Sequence, residues 1–282
     1  MYNFLYTIFS TPFGYVMRLI YQLVKDYSLS IFLFAALVKI LMLPLSFKQK
    51  RSMMEVQRIQ PKIAKIQKTY AMDQRRQQEE LQNLYDKEGV SPTAGCGTSL
   101  IILPIMIGLY GVILRPLTYF MQLTAAQITE ISERLSFAAN NAYSQIGLAG
   151  EIFKNFDQVA DVSNKLLKVS FSLGPIDLTQ SADIKQISIQ WIIPLLAGLT
   201  SLGFSWLQMK LQAKHNPDPT MQKSNGLMLW LMPVMSLWFS FMLPAGLGIY
   251  WISNNILSAV QEYFMSIWAD KQMEKQAEEA KE

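Results

Sequence analysis

Five apolar runs constrain the fold of this chain more than any other feature of its sequence. A helix rises about 1.5 Å per residue, so about 20 apolar residues cross a hydrocarbon core of about 30 Å. The runs, which carry almost no charge, cover residues 29–45, 98–114, 187–209, 226–243 and 247–265. The composition agrees, because 51% of the residues are apolar and only 16% are charged. The sequence therefore predicts an all-α, polytopic membrane protein with five transmembrane helices.

Only residues 244–246 separate the fourth run from the fifth, and they read Pro-Ala-Gly. Such a short connection joins helices that lie antiparallel, so we expect the last two spans to form a tight hairpin. The fifth run is the least apolar, since it contains Asn254, Asn255 and Glu262. We expect Glu262, near the end of its helix, to be a surface residue that reaches solvent.

Catalytic and metal-binding chemistry have little support in this sequence. One cysteine and one histidine, Cys96 and His215, provide neither an internal disulfide nor a Cys/His zinc cluster. The motifs HExxH, GxSxG, GxxxxGKS/T and GxGxxG are absent. We therefore expect a protein that is not an enzyme and has no catalytic residue, metal or cofactor. The net charge of +4 and the pI near 9.0 are weak support for nucleic-acid binding, and DNA is not an expected partner.

Lysine and arginine in the loops predict the orientation, because cationic loops stay in the cytoplasm. Residues 46–97 contain ten cations, whereas residues 1–28 contain only Arg18 and Lys25. We therefore place the N-terminus outside and the loop 46–97 inside. With five spans, the loop 210–225 and the tail 266–282 are also cytoplasmic, and residues 115–186 form an extracytoplasmic segment.

The extracytoplasmic parts are expected to be helical. Residues 12–26 have the pattern of an amphipathic helix that lies along the interface, within an extracytoplasmic tail of residues 1–28. The start of the chain lacks the pattern of a signal peptide, so we expect no cleaved leader. Residues 115–186 alternate short amphipathic stretches with polar turns. They either float on the outer leaflet or, as we favour, pack as a cap over the helices.

The cytoplasmic loop 46–97 is predicted to be an antiparallel helical hairpin. Its first arm carries apolar residues at spacings of 3, 4, 3 and 4, namely Val56, Ile59, Ile63, Ile66 and Tyr70. Pro61 lies within this arm and is expected to kink it. The loop is either a solvated charged hairpin or a docking site for a cytosolic partner, and its residues alone favour neither.

Lys39 is the single charge in the first run and the leading candidate for a functional site. A lysine at mid-helix costs roughly 2.5 to 3.5 kcal/mol on insertion scales, so it usually faces a wet cavity. Alternatively, Lys39 lies close enough to residue 45 for its ammonium group to reach the interface. Other polar residues of the runs extend the candidate cavity: Thr98, Ser99, Trp251, Asn254 and Ser258.

The polar residues of the third and fifth runs have different interpretations. Ala197, Ser201 and Ser205 recur every four residues, which favours close helix contact. Trp251, Asn254 and Ser258 share one helical face, and the adjacent amides of Asn254 and Asn255 exceed what helix contact requires. We therefore expect the fifth helix, and not the third, to face the cavity.

The order of these features resembles the YidC family of membrane protein insertases, the Oxa superfamily, over nearly the whole chain. The matching residues, in chain order, are Lys39, Pro44 and Leu45; residues 60–63 and Tyr70; Leu84, Tyr85, Gly89, Val90, Pro92, Gly95 and Cys96; residues 103–105, Leu109 and Tyr110; Met232 and Pro233; and residues 243–247, Tyr250, Trp251 and Asn254. Several motifs in the correct order make a chance match improbable.

The resemblance implies an insertase without an energy source, whose five spans enclose a hydrophilic groove that is open to the cytoplasm and to lipid. It implies that Lys39 is the groove cation, although this family position is most often arginine. The implied partners are nascent membrane proteins and the lipid bilayer, followed by the Sec translocon, the signal recognition machinery and the ribosome. We assign docking of cytosolic partners to Arg58, Lys62 and Lys65.

The chain also departs from some family members. It lacks the large extracytoplasmic domain and the lipoprotein start, so we expect a Gram-positive-like form in a bacterial plasma membrane. Two other classes of function stay open at this point. A small-solute transporter or channel would favour paired ionisable groups and internal repeats, neither of which is visible in the sequence. A membrane assembly scaffold that translocates nothing is the other alternative.

Overall fold

The structure is a computed structural model that describes residues 2–91, 99–138, 144–215 and 219–279. This part of the chain is mostly helical, with one two-stranded sheet. Its helices are α1 (Tyr2–Val24), α2 (Tyr27–Thr69), α3 (Gln74–Glu88), α4 (Ser99–Leu114), α5 (Pro116–Tyr119), α6 (Ala125–Arg134), α7 (Ser144–Lys154), α8 (Ile192–His215), α9 (Pro219–Met242) and α10 (Ala245–Glu279). Short 3-10 helices cover Phe156–Gln158 and Ile189–Trp191, and strands β1 (Ser172–Leu173) and β2 (Ile176–Asp177) pair antiparallel.

Helix α1 starts ten residues before the predicted amphipathic stretch and contains Pro12. It packs along α4 through a buried face that includes Met17 and Tyr21. Gly14 permits α1 to approach α5 as well, since a Cβ atom there would lie 2.0 Å from the carbonyl oxygen of Tyr119. The opposite face exposes an apolar stripe of Tyr15, Leu19 and Leu23. Both faces of α1 are therefore apolar, one against the protein and one at the surface.

Helix α2 joins two predicted elements, the first span and the first hairpin arm, into one helix of 43 residues. Asp26 caps its start, where the Oδ1 atom accepts a hydrogen bond of 2.7 Å from the backbone N–H of Leu29. Pro44 and Pro61 both lie inside the helix and neither ends it, and the kink expected at Pro61 stays a prediction. A proline removes one backbone hydrogen bond, and the turns on either side continue.

Helices α2 and α3 form an antiparallel pair with a small core of their own. Ile59 and Ile63 of α2 are buried against Val90, and Leu81, Leu84 and Tyr85 surround them. Asp73 caps α3 by accepting a hydrogen bond from the backbone N–H of Arg76. Gly89 ends it with a φ angle of +65°, which lies in the left-handed region that glycine adopts without strain. The predicted spacing thus identifies the buried face of the first arm.

Helix α10 packs between α2 and α8, whereas α9 packs mainly on α8. The expected tight hairpin of the last two spans is therefore wrong beyond its turn, because α9 and α10 have few contacts along their lengths. Close contacts with α8 explain this arrangement. A Cβ atom at Gly198 would lie 3.0 Å from Leu237 of α9, and one at Gly248 of α10 would lie 2.3 Å from Ile193. Glycines thus allow α8 to approach both of its neighbours.

Two helical segments of the described residues are long and apolar enough to cross a membrane, Tyr27–Thr69 and Ile189–Leu211. Pro104–Leu114 and Trp230–Met242 are shorter apolar segments. The side chains at the start of the second and fourth predicted runs are not among those described. The apolar segments found there are therefore shorter than the predicted runs. The polar residues of α10, including Asn254, Asn255 and Glu262, lower the mean hydropathy of the fifth run.

The segment between α4 and α8 packs on one end of the helices. Its buried residues Ile131, Ile152 and Leu178 belong to the same core as residues of α1, α2, α4 and α10. Its backbone also caps α10, because the carbonyl groups of Gln180 and Leu178 accept hydrogen bonds from Ala245 and Gly246 at 2.8 and 3.0 Å. The start of α10 is therefore held by this segment.

Candidate functional site

Lys39 lies half-buried between α2 and α10, where its Nζ atom donates a hydrogen bond of 2.7 Å to the Oγ atom of Ser258. Both residues were predicted to line the cavity, and the structure brings them together across the contact of the two helices. The side chain of Lys39 thus extends towards the neighbouring helix. A hydroxyl group satisfies one ammonium hydrogen without neutralising the charge, so the cation stays available to an anion.

The predicted polar face of α10 contains residues with different surroundings. The ring of Trp251 stacks on Phe239 of α9, with centroids 6.2 Å apart. Asn254, one turn before Ser258, is half-buried. Together with Lys39, these residues give the site one cation, one amide, one hydroxyl and an aromatic ring. Such a set binds polar and anionic groups.

Asn255 does not face the cavity, which corrects the prediction made for the adjacent amides. Its side chain is 9% exposed, and its Nδ2 atom lies 3.4 Å from the carbonyl oxygen of Ala197 and 3.3 Å from Oγ1 of Thr200. The amide therefore joins α10 to α8. Ser201 and Ser205 of α8 are also buried, as expected for residues at a close helix contact.

Two of the predicted groove residues, Thr98 and Ser99, belong to the second run. Thr98 lies outside the described residues, as do Pro92, Gly95 and Cys96 of the motif quoted above. Ser99 begins α4, and its side chain is not among those described. Both residues therefore stay predictions.

Sequence reasoning missed a partner of Glu262. Its Oε1 atom lies 2.5 Å from the Nζ atom of Lys50, and the two side chains are only 23% and 17% exposed. The carboxylate of Glu262 is thus partly exposed to solvent and is also engaged by Lys50 between α10 and α2. One signal in the sequence pointed to this role, since Glu262 is the only acidic residue in the five apolar runs.

The three cations assigned to partner docking do not have equal surroundings. Arg58 and Lys62 both form ion pairs with Glu88, whereas Lys65 is exposed on α2. The hydrogen bond from Lys62, together with the nearby charge of Arg58, lowers the pKa of Glu88. Two of the three predicted docking cations are thus partly neutralised within the hairpin itself.

Mostly helical structure over the described residues, with two segments long and apolar enough to cross a bilayer, is typical of an α-helical membrane protein. Residues 19–272 match the family model of the 60Kd inner membrane protein. The chain belongs to this family, the YidC/Oxa family of membrane protein insertases, and the resemblance found in the sequence is confirmed.

Individual relatives come from bacteria and chloroplasts. The chain is 29% identical over 244 residues to the membrane protein insertase MisCA of Bacillus subtilis, covering 85% of this chain and 70% of the relative. It is 30% identical over 254 residues to the membrane protein insertase YidC of Beijerinckia indica, covering 89% and 35%. It is 26% identical over 282 residues to the chloroplastic inner membrane protein ALBINO3 of Arabidopsis thaliana, covering 90% and 52%. The chain thus spans one third to about two thirds of these relatives.

Proposed function

We propose that this protein inserts membrane proteins by passing their short polar or acidic tails through a cationic groove between its helices. The observation that carries the proposal is the half-buried ammonium group of Lys39, hydrogen-bonded to Ser258 at the contact of α2 and α10. The names of the relatives support an insertase role, since MisCA and YidC are both called membrane protein insertases.

The groove lowers the barrier for a client tail by replacing hydrocarbon with polar groups. Two unit charges about 4 Å apart interact by roughly 4 kcal/mol at an effective dielectric constant near 20. An attraction of this size holds an acidic tail and still permits its release. Trp251, Asn254 and Ser258 belong to the same face of α10, and we include Thr98 and Ser99 of the second run.

The apolar segment of the client supplies the direction without ATP. Its transfer from water to lipid is favourable by about 25 cal/mol for each Å² of apolar surface removed from water. Exposed apolar residues of α9 and α10, such as Trp238, Met242 and Phe264, provide a surface along which this segment reaches lipid. The proposed cycle is therefore tail capture, partition of the apolar segment, and release.

The proposed arrangement has five spans in a bacterial plasma membrane, with the N-terminus outside and the C-terminus in the cytoplasm. The ten cations of residues 46–97 support this orientation, because they place α3 and the end of α2 inside. The groove then opens towards the cytoplasm, and residues 115–186 cover its outer end.

The proposed partners are nascent membrane proteins and lipid, with the Sec translocon, the signal recognition machinery and the ribosome as cytosolic or membrane contacts. Of the docking cations, Lys65 is the one most available, since Arg58 and Lys62 are paired with Glu88. We propose no catalytic step and no cofactor.

Substitution of Lys39 tests the proposal. In liposomes, Lys39→Ala should slow insertion of a single-span client with an acidic tail by about tenfold or more, since loss of only about 1.4 kcal/mol of the attraction slows a step tenfold. A matched client with a neutralised tail should be spared, and Lys39→Arg should restore the acidic client. Protease protection of the tail measures insertion. Equal insertion of the acidic client by Lys39→Ala and the parent would contradict the groove mechanism.

The same liposomes separate the other classes of function. A transporter or channel would pass a small solute and insert neither client, and an assembly scaffold would do neither. The parent protein must therefore insert at least one client for the proposal to stand.

A further inference from the structure

Glu262 lies one helical turn beyond Ser258 on α10, so the two side chains share a face of that helix. Lys39 is the only cation of the five apolar runs, and Glu262 is their only anion. The structure places both charges at the contact of α2 with α10, where Lys39 binds Ser258 and Glu262 binds Lys50. We call this contact the charged seam and define it by Lys39, Lys50, Ser258 and Glu262.

Lys50 and Lys39 face the same side of α2. They are 11 residues apart, which is about three helical turns, or about 16 Å along the helix axis. Lys50 lies in the half of α2 that leads to the hairpin with α3. In the proposed orientation, it therefore marks the cytoplasmic entrance of the charged seam, and Lys39 lies deeper.

The ion pair at this entrance is partly withdrawn from water, with side chains 17% and 23% exposed. Phe47 and Trp268 close the same contact, with ring centroids 5.1 Å apart. A carboxylate of a client tail offers Lys50 the same chemistry as Glu262 does. A client carboxylate can therefore replace that of Glu262, and Lys50 is not left unpaired in this partly dry environment.

We propose that Glu262 is a resident counter-ion that holds Lys50 until an acidic client tail displaces it. Lys50 is then the first of two cations met by the tail, and Lys39 is the second. Glu262 determines which clients enter, because its carboxylate repels every acidic tail that does not displace it from Lys50. This inference rests on the proposed insertase function and extends it to the choice of client.

The competing interpretation is that the ion pair only fastens α10 to α2. The two interpretations predict different directions of change in the insertion rate when either charge is removed. Removal of either charge breaks the fastening, so Lys50→Gln and Glu262→Gln should then have the same effect on every client. In the counter-ion mechanism, the two substitutions have opposite effects on the insertion of acidic clients. Lys50→Gln leaves the anion Glu262 at the entrance, whereas Glu262→Gln leaves the cation Lys50.

The experiment uses the full-length protein in liposomes and the matched acidic and neutralised clients. Glu262→Gln should raise the initial rate of acidic-client insertion about fivefold, and Lys50→Gln should lower it about fivefold. Both variants should insert the neutralised client within about twofold of the parent. Thermal melting in detergent identifies a variant that has lost its fold.

Glu79→Gln is the matched control, because it also removes one anion from an ion pair, that with Arg75 on exposed α3. It should change neither client. The inference would be overturned if Lys50→Gln and Glu262→Gln slowed insertion of both clients equally, or if neither variant changed the insertion rate. A parent that inserts no client would instead contradict the proposed function itself.

Discussion

Glu88 determines how much positive charge the hairpin of α2 and α3 presents to other molecules. Its carboxylate pairs with Lys62 and Arg58, whose side chains are 60% and 65% exposed. These cations were predicted as docking residues from charge alone, and their anionic neighbour lies 26 residues further along the chain from Lys62. A contact between residues so distant depends on the turn between the two arms, which a list of charges does not include.

The hairpin should loosen in mild acid. The pKa of Glu88 is lowered from its ordinary value of 4.5 by the hydrogen bond from Lys62. The ion pairs therefore stabilise the hairpin fully above pH 4.5, and this contribution is lost as the pH falls through the lower folded value. Hydrogen exchange of α3, corrected for intrinsic rates, should show a small increase in opening over that range. Glu88→Gln should remove the dependence, and an unchanged pH response in that variant would exclude Glu88 as its cause.

Adjacent polar residues show where sequence reasoning about the site succeeds and where it fails. Lys39 and Ser258 were both predicted to line one cavity, and the structure joins them by a hydrogen bond, although the cavity itself stays a prediction. Asn254 and Asn255 have the same side chain and differ by about 100° around the helix. Which of the two faces α8 depends on the rotation of α10, and Ala197 and Thr200 fix that rotation only in the folded protein.

At the scale of elements, the helical segments were predicted well, whereas the points at which one helix ends and the next begins, and the neighbours of each helix, were predicted poorly. Apolar spacing identified the buried face of the hairpin arm, because Ile59 and Ile63 recur with the helical period. The continuity of α2 through Pro44 was not foreseen, since the change from apolar to charged residues suggests a boundary that the backbone does not have. The packing of α9 on α8 also depends on Gly198, whose close contact with Leu237 cannot be read from the spacing of apolar residues.

The contact of α1 with the rest of the protein depends on Gly14. A methyl group there would meet the backbone of Tyr119 at 2.0 Å, and backbone atoms cannot rotate away. Gly14→Ala should therefore destabilise the protein by about 1–3 kcal/mol, observed as a lower melting temperature in detergent.

Gly203 of α8 provides a matched control for this substitution. A Cβ atom there would meet nothing within 4 Å. Gly203→Ala should leave the melting temperature unchanged or slightly higher, because alanine favours a helix. If both alanine variants melt at the same temperature as the parent, the close approach of α1 does not contribute to stability.

At the scale of the whole molecule, the orientation rests on loop charges and requires a direct test. In a Cys96→Ala background, a cysteine at Gln74 on α3 should react with an impermeant maleimide only after the cells are opened. A cysteine at Asn164, in the segment between α7 and α8, should react on intact cells. Both positions are exposed in the structure, so access to solvent does not limit either reaction. The opposite labelling pattern would reverse the proposed orientation.

The segment between α7 and α8 anchors one end of the two helices that flank the charged seam, and the Lys50–Glu262 and Phe47–Trp268 contacts join them farther along. Phe171 contacts Tyr27 at the start of α2, and the neighbouring carbonyl groups of Leu178 and Gln180 cap α10. Rotation about such an anchor separates the helices in proportion to the distance from it. Ser258 is about 20 Å from Ala245 along the helix, and Glu262 is about 26 Å from it. Release of the Lys50–Glu262 and Phe47–Trp268 contacts would therefore open the helices as a wedge, widest near Glu262 and narrowest near the anchor.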